Sequence, residues 1–324
     1  MDLSRCWKQY RGHRIRAAPF QLRKHLLKAI LSLICAAAIA ALPLLAGAQT
    51  LDKIKSSGAI TLGVRDASIP MSYMPDGVQA IGFQVDICQR IVGAIQKQLV
   101  LPALTVRYQM VTSQNRIALV QNGTVDLECG STTNNTARQR DVGFALTTYV
   151  EEVRLAVRKT SGIKSVKDLA GKTVVTTTGT TSVQHLRRNA RATGLDIKDV
   201  LAKDHSESFL LLEQGRADAW VLDAGLMSAT IASSKNPTDF AVVGEVLNVE
   251  PIAIMMRKDD TIKAVADATI RDLLRTGEMK ALWDKWFQNA IPPKNVKLGM
   301  PPPETLERLW AAPNDLPMEA FAAK

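Results

Sequence analysis

The chain has 324 residues, 46% apolar, 22% charged and 5% aromatic. This composition is globular and long enough for two domains, and it excludes a disordered, collagen-like or coiled-coil protein. The formal net charge of +10 is localised: residues 1–48 hold eight bases (Arg5, Lys8, Arg11, Arg14, Arg16, Arg23, Lys24, Lys28) against Asp2, and from Gln49 onward 33 bases face 30 acids. An excess confined to one terminal segment is not a nucleic-acid footprint, so no nucleic-acid partner is expected.

Ala29 to Leu45 is almost wholly apolar, interrupted only by Ser32 and Pro43, and Ala46-Gly47-Ala48 supplies a small-x-small cleavage pattern. Residues 1–48 therefore read as a removed secretory signal peptide, and the mature chain is expected outside the cytoplasm. The 17-residue apolar run is at the lower limit of a membrane span, and no stop-transfer charges follow it. The basic region is long for a signal, which leaves the translation start open. Cys35 follows Ile34, where a lipidated cysteine would need a small residue, so a lipoprotein is not indicated.

Removal of the signal takes Cys6 and Cys35 with it and leaves Cys88 and Cys129. In an oxidising compartment such a pair is either a disulfide or two buried thiols. His185 and His205 are the remaining histidines. No His or Cys cluster has metal-ligand spacing, so neither metal nor cofactor is expected.

After Gln49 short apolar runs alternate with amphipathic segments, an α/β grammar. Ala59 to Val64 reads as a strand with Arg65 at its carboxyl end. Phe83, Ile87, Ile91, Ile95 and Leu99 form one helix face. Leu104 to Met110 is a second strand, Thr112-Ser113 an N-cap, and Asn122-Gly123 the stop of a short helix before strand Val125 to Cys129. Lys172 to Thr177 is again a strand, punctuated by Gly179, with Thr180 to Ser182 opening a helix that carries Val183, Leu186 and Ala190. His205-Ser206 precedes a helix that stops at Gly215, before a strand from Asp218 to Leu222.

Ala118 to Ser131 and Leu210 to Asp223 repeat one pattern of helix, Gly, two residues, Asp and strand at an offset of 92. The same offset lays Ser113 on His205 and Ser131 on Asp223. This echo suggests two lobes of like topology offering strand ends and helix starts to a shared cleft, closing by a hinge. Extended stretches at Thr148 to Val157 and Val246 to Met256 are the candidate links. The expected division is residues 49–152 for the first lobe, 153–250 for the second, and 251–324 returning to the first with a tail. That Pro-rich tail, with Trp310 as its large aromatic, reads as a strap on the first lobe, or as disordered past Pro313.

No G-x-S-x-G, Walker loop, H-E-x-x-H or G-x-G-x-x-G is present. Asp204, His205 and Ser206 are adjacent and point different ways, so they form no relay. The cleft residues suit a small anionic or zwitterionic molecule instead. Arg116, near a helix start, matches a carboxylate bidentately. Ser131-Thr132-Thr133 follows a strand end, and Thr178 to Ser182 offers amides at a helix start. Arg65 and His205 can add a second positive pole, and Asp223 can pair with an ammonium.

T-S-Q-N-R (Thr112 to Arg116), Q-N-G-T-V-D-L-E-C-G-S-T-T-N-N (Gln121 to Asn135), T-G-T-T-S (Thr178 to Ser182), K-D-H-S-E-S-F (Lys203 to Phe209) and W-D-K-W-F-x-N-x-I-P-P-K-N (Trp283 to Asn295) resemble the glutamate/aspartate-binding proteins. These are family 3 solute-binding proteins, periplasmic receptors of ATP-binding-cassette importers, and the likeness spans Leu51 to Asp315. It implies a two-lobed periplasmic-binding-protein-like α/β fold with hinged lobes. It also implies capture of L-glutamate or L-aspartate by a monomer, and delivery to a membrane permease without catalysis. By resemblance Arg116 holds the α-carboxylate, assisted by Ser131 and Thr133, with Thr178 and Thr181 contributing from the other lobe. Asp223 takes the ammonium, while Arg65, Ser113 and His205 are side-chain-carboxylate or accessory contacts. Two carboxylates and one ammonium require two positive poles and one negative in a water-poor cleft.

Several relatives carry a second cysteine near the returning hinge, where this chain has Ile252-Ala253-Ile254. If a bridge forms, the partner of Cys129 is therefore Cys88. Asp223 is followed by Ala-Gly where relatives often have a further acid or alanine, and the ranking among glutamate, aspartate and their amides stays open. The alternative from another class is an exported dehydratase of a prephenate-like diacid, with His205 and Asp223 as acid and base.

Overall fold

A computed structural model describes residues 50–321, and the expected signal segment with Cys6 and Cys35 lies outside them. The described chain opens with a helix, Thr50–Ser57, and strand β1, Ala59–Val64. Five of the six β1 residues are buried, as an unbroken apolar run demands when both faces of a parallel sheet are covered. A small ribbon follows, β2 (Ala67–Ser68) and β3 (Ser72–Tyr73), and then the helix Phe83–Gln98. Phe83, Ile87, Ile91 and Ile95 are buried along that helix, as the spacing of four requires. Its N-cap, Gly82, has φ 137°, and a Cβ there would collide with the Met71 carbonyl, so no other residue fits.

Next come β4 (Thr105–Met110), the helix Arg116–Gln121, β5 (Leu127–Glu128), a helical turn (Thr136–Gln139), β6 (Gly143–Phe144) and β7 (Tyr149–Arg158). β8 (Thr173–Thr177), the helix Thr181–Thr193, β9 (Lys198–Ala202), the helix His205–Glu213, β10 (Ala219–Asp223) and the helix Ala224–Ala232 complete the middle of the chain. β11 (Phe240–Ile252) and β12 (Met255–Met256) then lead to the helix Asp260–Thr276. Two five-stranded sheets result, ordered β4-β1-β5-β12-β6 and β11-β7-β10-β8-β9. β1 is parallel to β4 and β5, and β8 is parallel to β9 and β10. β12, arriving late in the chain, inserts antiparallel between β5 and β6.

The two extended stretches read from the sequence are not loose links. β7 and β11 pair antiparallel from Tyr149↔Ile252 to Arg158↔Phe240, with one irregularity between Val243 and Asn248. Both segments joining the sheets therefore form one hydrogen-bonded ribbon. An aromatic cluster fixes its root. Trp283 stacks on Phe287 at 4.0 Å and on Tyr149, the first residue of β7, at 5.5 Å, and Phe83 meets both Trp283 and Phe287 edge-on.

The internal echo has a structural basis. Gly123 and Gly215 both stop a helix in left-handed backbone, with φ 77° and 71°. Asp126 accepts from the Thr61 N–H and Asp218 from the Thr173 N–H, each at 2.8 Å. Each carboxylate thus ties a helix–strand turn to a neighbouring strand of its own sheet.

The tail is a strap, and its residues past Pro313 are held down. Trp310 packs edge-on against Trp283, and its Nε1 donates to the Thr148 carbonyl. Asn314 accepts from Thr147 N–H at 2.9 Å, Asp315 accepts from Asn134 Nδ2 at 2.9 Å, and Met318 N–H donates to Asn134 O at 2.8 Å. Glu319 accepts from both the amide and the hydroxyl of Thr136.

Cys88, on the helix Phe83–Gln98, is disulfide-bonded to Cys129, the residue after β5, at a sequence separation of 41. A loop of this size is expected to stabilise the fold by about 4 kcal/mol through restriction of the unfolded chain. Mass spectrometry without reductant should find the two cysteines linked, and Cys88→Ala/Cys129→Ala should lower the unfolding free energy by ~2–4 kcal/mol in denaturant titration. Free thiols, or an unchanged midpoint, would contradict this.

Candidate functional site

Carboxyl ends of strands from both sheets converge on a narrow cleft whose cavity volume is about 10 Å³. Its lining is Ser113, Arg116, Ser131, Thr133, Thr180, Thr181, His205, Leu222 and Asp223. Of the residues singled out from the sequence, Arg65 stands beside this lining and Thr178 turns away. The Thr178 hydroxyl donates to the Ala202 carbonyl at 2.9 Å.

The lobes are in contact around the cavity. Thr133 of the first faces Thr181 of the second at 3.4 Å, and Arg138 Nη2 donates to the Gly179 carbonyl at 3.3 Å. Gly179, at φ 82°, lies so close that a Cβ would sit 2.6 Å from Gln114 Cα. Water is largely excluded, which strengthens every charge interaction inside.

Arg116 begins its helix rather than lying one turn within it, and Asn115, not Thr112 or Ser113, is the cap residue. Thr112 and Asn115 instead exchange side-chain-to-backbone hydrogen bonds at 2.8 and 3.2 Å, which fixes the turn that delivers Arg116. Ser113 is thereby free to accept from Arg65 Nη2 at 2.8 Å. Arg116 Nη1 donates to the Ser131 carbonyl at 3.3 Å. Arg116 Nε and Arg65 Nη1 are buried donors with no partner among the described residues. A Cβ at Gly130 would sit 2.9 Å from Arg65 Cγ and collide with Glu128 Oε1, so glycine there makes room for the Arg65 stem.

Burial lowers the Arg65 guanidinium to about 10, with the Arg116 charge adding to the effect. It lowers Arg138 to about 9, again with Arg116 contributing. Both remain cations at neutral pH. His205 does not. Burial, then Arg65 and Arg116, hold it well below the usual histidine range, so it is a neutral hydrogen-bonding group and not the second positive pole expected from the sequence. Its proton can be placed from its neighbours. Ser208 donates to the Asp204 carbonyl, so Thr177 donates to Ser208, and His205 Nδ1–H donates to Thr177 at 2.9 Å. Nε2 is left as an acceptor, 3.5 Å from Arg65 Nη2.

Asp223 closes the acidic side. Burial raises its carboxyl well above the ordinary value, with Glu151 and Glu250 adding to the rise and Arg116 and Arg138 opposing it. Behind it, burial pushes Glu151 to about 7 against hydrogen bonds from Gly225 N–H, Glu152 N–H and the Tyr149 hydroxyl. A Cβ at Gly225 would lie 2.8 Å from both Glu151 Oε2 and the Tyr149 hydroxyl. The Ala-Gly after Asp223 is thus the space in which this acid sits.

Sequence reasoning missed Arg138, Glu128, Glu250, Thr180 and His185. Arg138 lies three residues past the cap Asn135, whose side chain accepts from its amide, and its Nη1 reaches back to the Thr133 carbonyl at 2.8 Å. Nothing in its spacing announces that return. Glu250 carried a signal, being a lone acid within an extended apolar stretch.

The sequence profile of the bacterial extracellular solute-binding proteins, family 3, matches residues 60–289. An L-glutamate/L-aspartate-binding protein from Pseudomonas aeruginosa is 45% identical over 290 residues, 88% of this chain and 96% of that one. A glutamate/aspartate import solute-binding protein from Escherichia coli is 40% identical over 271 residues, 83% of this chain and 90% of that one. Among solved structures, a mutant of ArgBP from T. maritima aligns with TM-score 0.64 at 28% identity, over 73% of this chain and 98% of that one.

Glu151 gives a pH dependence. Its value of about 7 in the fold lies above the roughly 4.3 of an unfolded glutamate. Its contribution to stability is therefore complete below that lower value and lost as pH rises through 7. Thermal melts of the ligand-free protein should show the midpoint falling between pH 5 and 8, and falling less in Glu151→Gln. Parallel curves would overturn this.

Proposed function

The chain belongs to the bacterial extracellular solute-binding proteins, family 3, and on that premise we propose that it captures L-glutamate or L-aspartate in the periplasm for the membrane permease of an ATP-binding-cassette importer. The fold is the two-lobed α/β fold of the periplasmic binding proteins. In this reading the mature chain is released by cleavage after Ala48 and acts as a monomer; among the described residues no helix is long and apolar enough to cross a membrane.

One observation carries the ligand assignment. Two buried guanidinium groups, Arg116 in the cleft lining and Arg65 beside it, each keep an N–H without a partner among the described residues. An unpaired buried charge-bearing donor is costly, and a carboxylate satisfies it. In this reading Arg116 takes one carboxylate with Ser131 beside it, and Arg65, with Ser113 and neutral His205, takes the other. Asp223 takes the ammonium, and Arg138 latches the lobes across Thr133 and Gly179. Arrival of the ammonium opposes the forces that hold the Asp223 proton, so binding carries proton release with it. Capture without chemistry is part of the proposal. The dehydratase alternative draws no support from the relatives, which are named as solute-binding or import proteins.

Isothermal titration of ligand-stripped protein with L-glutamate, L-aspartate, L-glutamine and L-asparagine tests it. The acids should bind at least tenfold more tightly than their amides, about 1.4 kcal/mol. Arg116→Ala should cost ~2–5 kcal/mol of binding with its melting transition retained. Retained affinity would move the carboxylate clamp elsewhere, and silence with all four ligands would remove the receptor reading.

A further inference from the structure

Glu250 belongs to no expectation drawn from the sequence, yet from the connecting ribbon it reaches residues of both lobes. It lies on β11, three residues from the end of the strand, and is fully buried. Its Oε2 accepts from the Thr133 hydroxyl of the first lobe at 2.6 Å and from the Thr181 hydroxyl of the second at 2.8 Å. Its Oε1 faces His185 Nε2 at 2.7 Å. Arg188 Nη2, which can only donate, lies 2.5 Å from His185 Nδ1, so Nε2 carries the proton and donates it to Glu250.

Each threonine hydroxyl has one proton, and both protons are committed to the same carboxylate oxygen. What Thr133 and Thr181 present to the cavity they line is therefore lone pairs alone. A carboxylate placed there finds no donor from either hydroxyl, whereas an ammonium finds two acceptors.

We propose that Glu250 is a positioning residue that sets the polarity of the cleft. By taking the protons of Thr133 and Thr181 it turns their shared wall into an acceptor surface for the ligand's ammonium group, and by touching both lobes at once it ties that polarity to closure. The inference rests on the reading of the ligand as an acidic amino acid. It also revises one expectation from the family resemblance: the Thr133 hydroxyl serves the ammonium end with Asp223, not the α-carboxylate. Burial alone would favour a neutral Glu250, but hydrogen bonds from His185, Thr133 and Thr181 hold the carboxyl below its ordinary range. It is thus the acceptor this arrangement needs.

The test compares L-glutamate with glutarate, which keeps both carboxylates and lacks the ammonium, by direct and competitive isothermal titration on the mature chain. Glu250→Gln replaces one acceptor oxygen by a donor amide of the same size. It should weaken L-glutamate at least tenfold and glutarate less than threefold, so that discrimination between them shrinks. Thr133→Val, which removes one acceptor and leaves Glu250 in place, should give the same selective loss, and it carries the test if Glu250→Gln fails to fold. Equal loss for both ligands would assign Glu250 a packing role and overturn the proposal, as would L-glutamate affinity within threefold of the parent. A parent protein that binds none of the four amino acids would instead overturn the receptor reading.

Discussion

Removing a guanidinium group from water costs several kcal/mol unless charges and hydrogen bonds replace the solvent, and this chain buries Arg65, Arg116 and Arg138 around one cleft. Much of the local architecture answers that cost. Glu128 and Glu250 supply opposing charge to Arg116, Gly130 clears the Arg65 stem, and backbone carbonyls of Ser131, Thr133 and Gly179 accept from the guanidiniums. The remainder of the cost is left unmet at Arg65 Nη1 and Arg116 Nε. A site that keeps cations dry and incompletely satisfied is preorganised for an anion, because the ligand replaces lost solvation and the protein need not rearrange its dipoles.

The acids show the complementary logic. Glu250 has three donors and stays ionised. Asp223 and Glu151 lie in the same dry region and hold their protons more strongly, because burial and neighbouring acids outweigh what opposes them, including the three hydrogen bonds that reach Glu151. Buried carboxylates around one cleft thus take different protonation states according to the balance of burial, neighbouring acids and hydrogen bonds at each one. His205, buried and beside the cations Arg65 and Arg116, is driven neutral.

Periodic apolar patterns made β1, the helix Phe83–Gln98 and the strands flanking Gly123 and Gly215 legible in the sequence, because burial on one face or two leaves a residue-by-residue record. The strand-end hydroxyls, Arg116 and Asp223 were legible as cleft candidates for the same topological reason. The pairing of β7 with β11 was not, since extended backbone in sequence does not reveal its partner. β5, β6 and β12 are two residues long, too short for any alternation to register. Arg138 and His185 were hidden because partners that help to bury them, Gly179 and Glu250, are distant in sequence. The charge of His205 was misjudged because a histidine's state depends on which cations surround it.

The insertion of β12 between β5 and β6 has a consequence for the order of events in building the protein. The first sheet lacks its fourth strand until the chain has passed through the whole second sheet and returned at Met255. A nascent or partly translocated chain ending before that point holds a gap one strand wide beside Glu128 and Phe144. The loop from Ser131 to Arg138 then lacks both its ribbon partner, Ile252, and the strap at Asn314 to Glu319. Capture is therefore the final property to emerge, and non-local closure of this kind is slow.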